Sequence, residues 1–272
     1  MPKGSSEFVI GSQAKEALKK IDENSKTIQL FKNYSRQLDA KSDKYERLVK
    51  ISRDITIESK RIIFLLHTID SDKKKELVLN QAELRLQNLL NQNFKNIAKE
   101  LDEEDHYLYH RAFSPGIQEF IEALIYFNYL KHKRIFNLSY YQAKFEFKII
   151  EKHENSYKES DRKIVTTLVQ NDFLLGLLDA TGELMRKCIN NLGSGEITDC
   201  GDTCDFVRNV YSGFLSLSYF GCKEVLRKLI VLKQTLLKIE MVCYNIHIRG
   251  NEMLNHILSD IDEFKTYVGK DE

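Results

Sequence analysis

Apolar residues recur at Phe31, Tyr34, Leu38, Tyr45, Leu48, Ile51, Ile55 and Ile62, in steps of three, four and seven between about Ile28 and Ile69. That spacing draws one stripe along a helix, so the pattern predicts a single very long helix. The polar run Asp70 to Lys75 stops it. Leu77, Leu84, Leu86, Leu89, Leu90, Phe94, Ile97 and Leu101 mark a second helix ending near Asp102 to Asp105, and the short return predicts an antiparallel pair. A third helix is predicted from about Glu104 to Phe136, kinked or divided at Pro115 because proline removes a backbone donor. Residues 138–164 mix aromatics with charge and have the weakest periodicity. They show no strand pattern, so a short helix and a mobile loop are expected there. Further helices are predicted over about 165–191, stopped by Asn190 to Gly195, and over about 199–215 and 219–247, with a tail to about Phe264.

The fold class expected is therefore all-α, an elongated bundle of about seven helices. One helical domain is expected over 26–265, with 138–164 as a variable loop region. Residues 1–25 are expected to form a flexible N-terminal segment whose first dozen residues resemble an expression scar. The two prolines leave long stretches uninterrupted, and 42% apolar with 30% charged residues exclude the disordered class. A net charge of +1 excludes a general field for nucleic acid, so any such binding is local or shared with a more basic partner. Five cysteines, at 188, 200, 204, 222 and 243, lack zinc-site spacing and are expected to be reduced thiols. With no membrane-spanning run and no apolar signal core, the expectation is no membrane association. The cytoplasm is the expected location, with the nucleus as a second candidate.

Chemistry concentrates in two pairs of acids. Glu119 and Glu122, three apart, share one face of a helix; Asp179 and Glu183, four apart, share another, with Arg186 one turn further on. Both pairs lie in apolar sequence, where a carboxylate costs several kcal/mol unless paired or metal-bound. Oxygen ligands without a nearby histidine suit Mg²⁺, with Mn²⁺ able to substitute. Such an ion polarises a phosphate and activates water while a free carboxylate serves as general base. The plain alternative is salt-bridged helix surface, with Arg186 as partner. Gly176 and Gly182 beside the second pair mark either room for a substrate or close helix packing.

The residues at these acids resemble those of the translin family, and within it the factor X branch. The resemblance rests on Asp43-Lys44-Tyr45-Glu46-Arg47-Leu48-Val49-Lys50, Ser52-Arg53-Asp54-Ile55-Thr56, Glu58-Ser59-Lys60-Arg61, Gly116 through Ala123, Gly176 through Arg186, Leu232 through Glu240 and Cys243 through Gly250. It implies a catalytic subunit of a Mg²⁺-dependent endoribonuclease, joined with translin in a hetero-oligomer of up to eight subunits. The implied substrate is single-stranded RNA, such as passenger-strand fragments during activation of the RNA-induced silencing complex, with single-stranded DNA as a second ligand. It implies Glu119, Glu122 and Asp179 as metal ligands and Glu183 as the remaining catalytic acid. A basic N-terminal import cluster common in that branch is missing here, and residues 138–164 follow no family pattern. The alternative is a scaffold that binds nucleic acid and supports translin without chemistry.

Candidate RNA contacts are Arg53, Lys60 and Arg61 on the first helix, Lys131, Lys133 and Arg134 after the first acidic pair, and Arg186. A solvated helix face is the competing reading of the first group. Tyr126, Phe127 and Tyr129 offer stacking surfaces or core. No histidine falls in a nucleophile motif, and histidine or cysteine catalysis is set aside. Exposed apolar stripes on the first and last helices predict a partner surface.

Overall fold

Leu48, Ser52, Ile55, Ser59, Ile62 and Leu66 alternate spacings of four and three, and all are buried. Their helix, α1 (Lys26–His67), thus presents one narrow seam to the core. The computed structural model describes residues 25–249 apart from 71, 103, 153–158, 194–199 and 218–221. The expected N-terminal segment, residues 153–158 of the expected loop and the predicted tail to about Phe264 lie outside the described residues. The chain divides into two compact units, 1–47 and 48–272, with the boundary inside α1. In the first unit Phe31, Tyr34, Leu38 and Tyr45 are exposed. The predicted single long helix is found, and its apolar stripe is exposed from Phe31 to Tyr45 and buried in the core from Leu48 onward.

Then follow α2 (Asp72–Leu89), a π-helical turn (Leu90–Phe94), α3 (Lys95–Glu100), α4 (His106–His132), α5 (Leu138–Ala143), β1 (Glu146–Lys152), β2 (Glu159–Val165), α6 (Gln170–Gly193), α7 (Cys200–Ser216) and α8 (Lys223–Arg249). Taking α2, the π turn and α3 as one helix, seven helices make up the described residues. Arg85 on α2 donates to Glu58 on α1 at 2.6 Å, which sets the expected antiparallel return. Lys131 pairs with Glu83 at 2.7 Å while Phe120 meets Phe94 at 4.7 Å, so α4 runs antiparallel to α2. Pro115 sits inside α4 without dividing it, and α4 ends where Lys133 takes a left-handed conformation, φ 55.

Residues 138–164 correct the expectation of helix and loop alone. After α5, β1 and β2 pair antiparallel, Phe147 opposite Ile164 and Ile149 opposite Arg162. Phe147 and Ile164 are the buried pair, and one such pair amid charged neighbours is too short an alternation to read as a strand. The π turn anchors this hairpin. Its Phe94 ring packs on Phe120 and, at 4.8 Å, on Phe145, and its carbonyl accepts from the Thr166 hydroxyl at 3.0 Å.

The thiol expectation is also corrected, because Cys188 and Cys200 are joined in a disulfide. α6 and α7 place their Cα atoms 5.6 Å apart, within bridging range, although the two cysteines are twelve positions apart in sequence. Cys204, Cys222 and Cys243 are free.

Two glycines set the helix spacing around the acids. A Cβ on Gly116 would lie 2.8 Å from the Ser52 hydroxyl oxygen and 2.9 Å from the Ser52 carbonyl; its N–H instead donates to that hydroxyl at 3.1 Å. A Cβ on Gly176 would lie 2.8 Å from Ile121 Cγ2 and 2.9 Å from the Gln118 carbonyl oxygen, whereas one on Gly182 would meet nothing within 4 Å. Of the two readings of these glycines, close packing holds at Gly176 and open space at Gly182. Gly176→Ala should accordingly destabilise by about 1–3 kcal/mol through overpacking. Gly182→Ala should be neutral or stabilising by up to about 1 kcal/mol, since alanine is the better helix former. Urea unfolding of the two variants checks this, and a Gly176→Ala midpoint equal to the parent's would refute the close-packing account.

Candidate active site

On α4, His110, Ser114, Gln118, Glu122 and Tyr126 recur every fourth residue, a polar stripe along a largely apolar helix. The stripe faces α6. Asp172, 2% exposed, accepts from Ser114 Oγ at 2.7 Å and Gln118 Nε2 at 2.9 Å and contacts His110 Nε2 at 2.6 Å. Its two oxygens are therefore satisfied, as a buried carboxylate requires. With Asp172 beside Ser114 and Gly176 beside Gln118, α4 and α6 run in the same direction. One turn further, Glu122 comes within electrostatic reach of Asp179 and Glu183.

The four acids gather around Glu122, which is 9% exposed. Burial, then the charges of Asp179, Glu119 and Glu183, push its carboxyl up to about 8. Its neighbours each hold a cationic or histidine partner. Lys60 lies 3.3 Å from Glu119, Lys228 pairs with Asp179 across from α8, and Glu183 takes Arg186 at 3.2 Å and His67 at 2.6 Å. A pocket of about 400 Å³ opens onto the group, lined by Lys60, Phe64, His67, Glu119, Glu122, Glu183 and Arg186 among others. Its donors are carboxylate oxygens around one acid that burial keeps protonated, a deficit of positive charge that suits a hard divalent cation. As the side chains stand, no group of three or more His, Cys, Asp or Glu among the described residues is arranged to hold an ion.

The other candidate cations divide. Lys60 and Arg186 line the pocket. Arg61 lines a separate polar cavity of about 450 Å³ between α1 and α2 with Glu58 and Arg85, and Arg53 is exposed on α1. Lys131, Lys133 and Arg134 are not brought to the acids. They sit at the end of α4, three turns beyond Glu122, with Lys131 paired to Glu83 and Arg134 over the Phe136 ring. Tyr126, Phe127 and Tyr129 are buried, so they are core rather than stacking surface.

Sequence reasoning missed three participants. His67 was set aside with all histidines, yet its Nε2 meets Glu183 while the Tyr126 hydroxyl lies 3.2 Å from its Nδ1. Burial pushes the Tyr126 phenol up, so it stays a donor. The Glu183 carboxylate accepts, so His67 Nε2–H is the donor between them. Lys228 comes from a distant helix without a local signal. Asp172 was legible, seven residues before Asp179 on the same face.

Two parallel helices bring the paired carboxylates together, and Glu119, Glu122 and Glu183, though not Asp179, line one pocket with Lys60 and Arg186, which makes this a predominantly helical protein with a polyacidic site. It belongs to the translin family, whose profile matches residues 43–250. The chain is 41% identical to mouse (Mus musculus) translin-associated protein X over 87% of this chain and 83% of the relative. It is 40% identical to the Pongo abelii protein of the same name over 91% and 88%. Its fold is similar to AfC3PO in a duplex RNA complex, TM-score 0.60 at 18% identity over 83% of this chain and 98% of that one. Similarity to apo-NeC3PO gives 0.59 at 19% over 79% and 95%.

The raised Glu122 carboxyl fixes a pH dependence. Below pH about 4.5 the group is protonated in both folded and unfolded chains; as pH rises towards 8 only the unfolded chain releases the proton, so stability falls across that window. Glu122→Gln removes this loss, and its advantage over the parent should grow from near zero at acid pH to roughly 2–4 kcal/mol at the upper end. Metal-free denaturant titrations at both ends of the window measure it; a pH-independent difference would contradict the burial argument.

Proposed function

We propose that this chain is the catalytic subunit of a Mg²⁺-dependent endoribonuclease formed with translin. In this reading it cleaves single-stranded RNA, including passenger-strand fragments during activation of the RNA-induced silencing complex. The observation that carries the reading is Glu122, buried beside Glu119, Asp179 and Glu183 at a pocket edged by cations. Translin-associated protein X among its relatives supports the translin partnership, and a duplex RNA complex among its structural neighbours supports RNA as the ligand class. Glu119, Glu122 and Asp179 would hold the ion. Bound Mg²⁺ supplies phosphate polarisation and a more acidic water. Lys60 and Arg186 attract the RNA backbone, and Lys60 exchanges Glu119 for a phosphate oxygen. Glu183, oriented by His67, accepts the proton of the attacking water.

The chain co-purified with translin should cut a short single-stranded RNA in Mg²⁺ and not in EDTA. Glu119→Ala with Glu122→Ala should lower the rate by about 10²-fold or more with assembly intact. One observation favours the second reading, a non-catalytic scaffold: the carboxylates beside Glu122 are already paired with side chains. Cutting that survives the double substitution would establish the scaffold instead.

Partner binding has its own surface. On α8, Leu226, Ile230, Leu237, Tyr244 and Ile248 are exposed at helical spacing, an apolar stripe of the kind a partner helix covers. Ile230→Glu with Leu237→Glu should weaken assembly with translin roughly 30-fold, the effect of losing about 2 kcal/mol at an interface centre. Light scattering across a dilution series reads this out, and unchanged assembly would place the interface elsewhere.

A further inference from the structure

Phe64 stands at the edge of the carboxylate pocket with its side chain 76% exposed. It is the most exposed of the large apolar residues on α1, although the core-facing seam of Ile62 and Leu66 lies immediately beside it. No packing requirement explains a bare aromatic ring there. The same pocket carries Lys60, 64% exposed, and Arg186 on opposite helices, with Glu119, Glu122 and Glu183 beneath them. A protein side chain seated on Phe64 would exclude water from Glu119, Glu122 and Glu183, which is unfavourable for charged groups. The ligand that suits a flat apolar face, two cations and an acidic floor has a planar ring and an anionic backbone, with the pocket left open to solvent. A nucleotide has that composition.

We infer that Phe64 is a base-stacking residue: it receives the base of an unpaired nucleotide while Lys60 and Arg186 hold the adjoining phosphates, which selects single strands over duplex. This rests on the proposed reading of the pocket as an RNA site and adds the residue that distinguishes its substrates. In a duplex each base is already stacked and paired, so Phe64 gains nothing from it; in a single strand every base presents a face. Phe64 is a positioning residue and takes no part in proton transfer.

The test uses the chain assembled with translin in EDTA, so that binding is read without cleavage. The probe is a short single-stranded RNA containing 2-aminopurine, compared with the same strand in a duplex. Wild type should bind the single strand and quench the probe. Phe64→Leu, which keeps an apolar side chain, should weaken single-strand binding about 5- to 150-fold and lose the quenching. Phe64→Tyr should retain both, and duplex affinity should be the same in all three. Single-strand binding by Phe64→Leu at wild-type strength would overturn the inference, as would an equal loss for single strand and duplex. Failure of Phe64→Leu to assemble would also overturn it, by making Phe64 a subunit contact. Phe64-dependent binding without any Mg²⁺-dependent cutting would uphold the inference and defeat the nuclease reading. Cutting that depends on Glu119 and Glu122 but is indifferent to Phe64 would do the reverse.

Discussion

The approach of α4 to α6 at Gly176 is the contact on which the site depends. With no Cβ at that position, Ile121 and the Gln118 carbonyl reach the α6 backbone, and the two helices lie closer than ordinary side chains permit. The polar bonds of Asp172 to Ser114 and Gln118 then lock the register, because a slip along either helix would strand a buried carboxylate. One turn on, that register sets Glu119 and Glu122 against Asp179 and Glu183. Gly116 does the same for α1, bringing Ser52 onto α4 and thereby delivering Lys60, Phe64 and His67 to the pocket.

The charge arrangement follows from this crowding. Four acids on two closely packed helices repel one another, and the protein answers differently at each. Glu122 is buried, forms no side-chain ion pair among the described residues and keeps its proton, while Glu119, Asp179 and Glu183 draw partners from α1, α8 and α6. The partners at the rim, Lys60 and Arg186, are long, solvated and held by single ion pairs, which makes them easy to displace by an anion. His67 is different: it is fixed from behind by Tyr126 and belongs to the architecture of Glu183. The pocket thus has a rigid base and an exchangeable rim.

Two surfaces with opposite chemistry lie outside the core. The stripe of α8 is mostly aliphatic, with no carboxylates of the acidic site beneath it, and is suited to burial by another chain. The exposed ring of Phe64 sits over carboxylates that must stay solvated or paired, and is suited to a ligand instead. Exposure alone does not separate the two; their neighbours do.

The sequence by itself determined the helices, because a 3.6-residue period and scarce proline act locally, and it marked both acidic pairs, because three- and four-residue spacings place groups on one helix face. The stripe His110, Ser114, Gln118, Glu122 and Tyr126 was equally legible, as was Asp172. The hairpin was not, since one buried residue on each strand among those described leaves almost no periodic trace, and its position is decided by contacts to Phe94 of the π turn. Nor were the Cys188–Cys200 bridge, the pairing of Lys228 with Asp179 and the place of His67 behind Glu183. Those are contacts between residues far apart in the chain, and only the packed arrangement of α1, α4, α6, α7 and α8 decides which distant side chains meet.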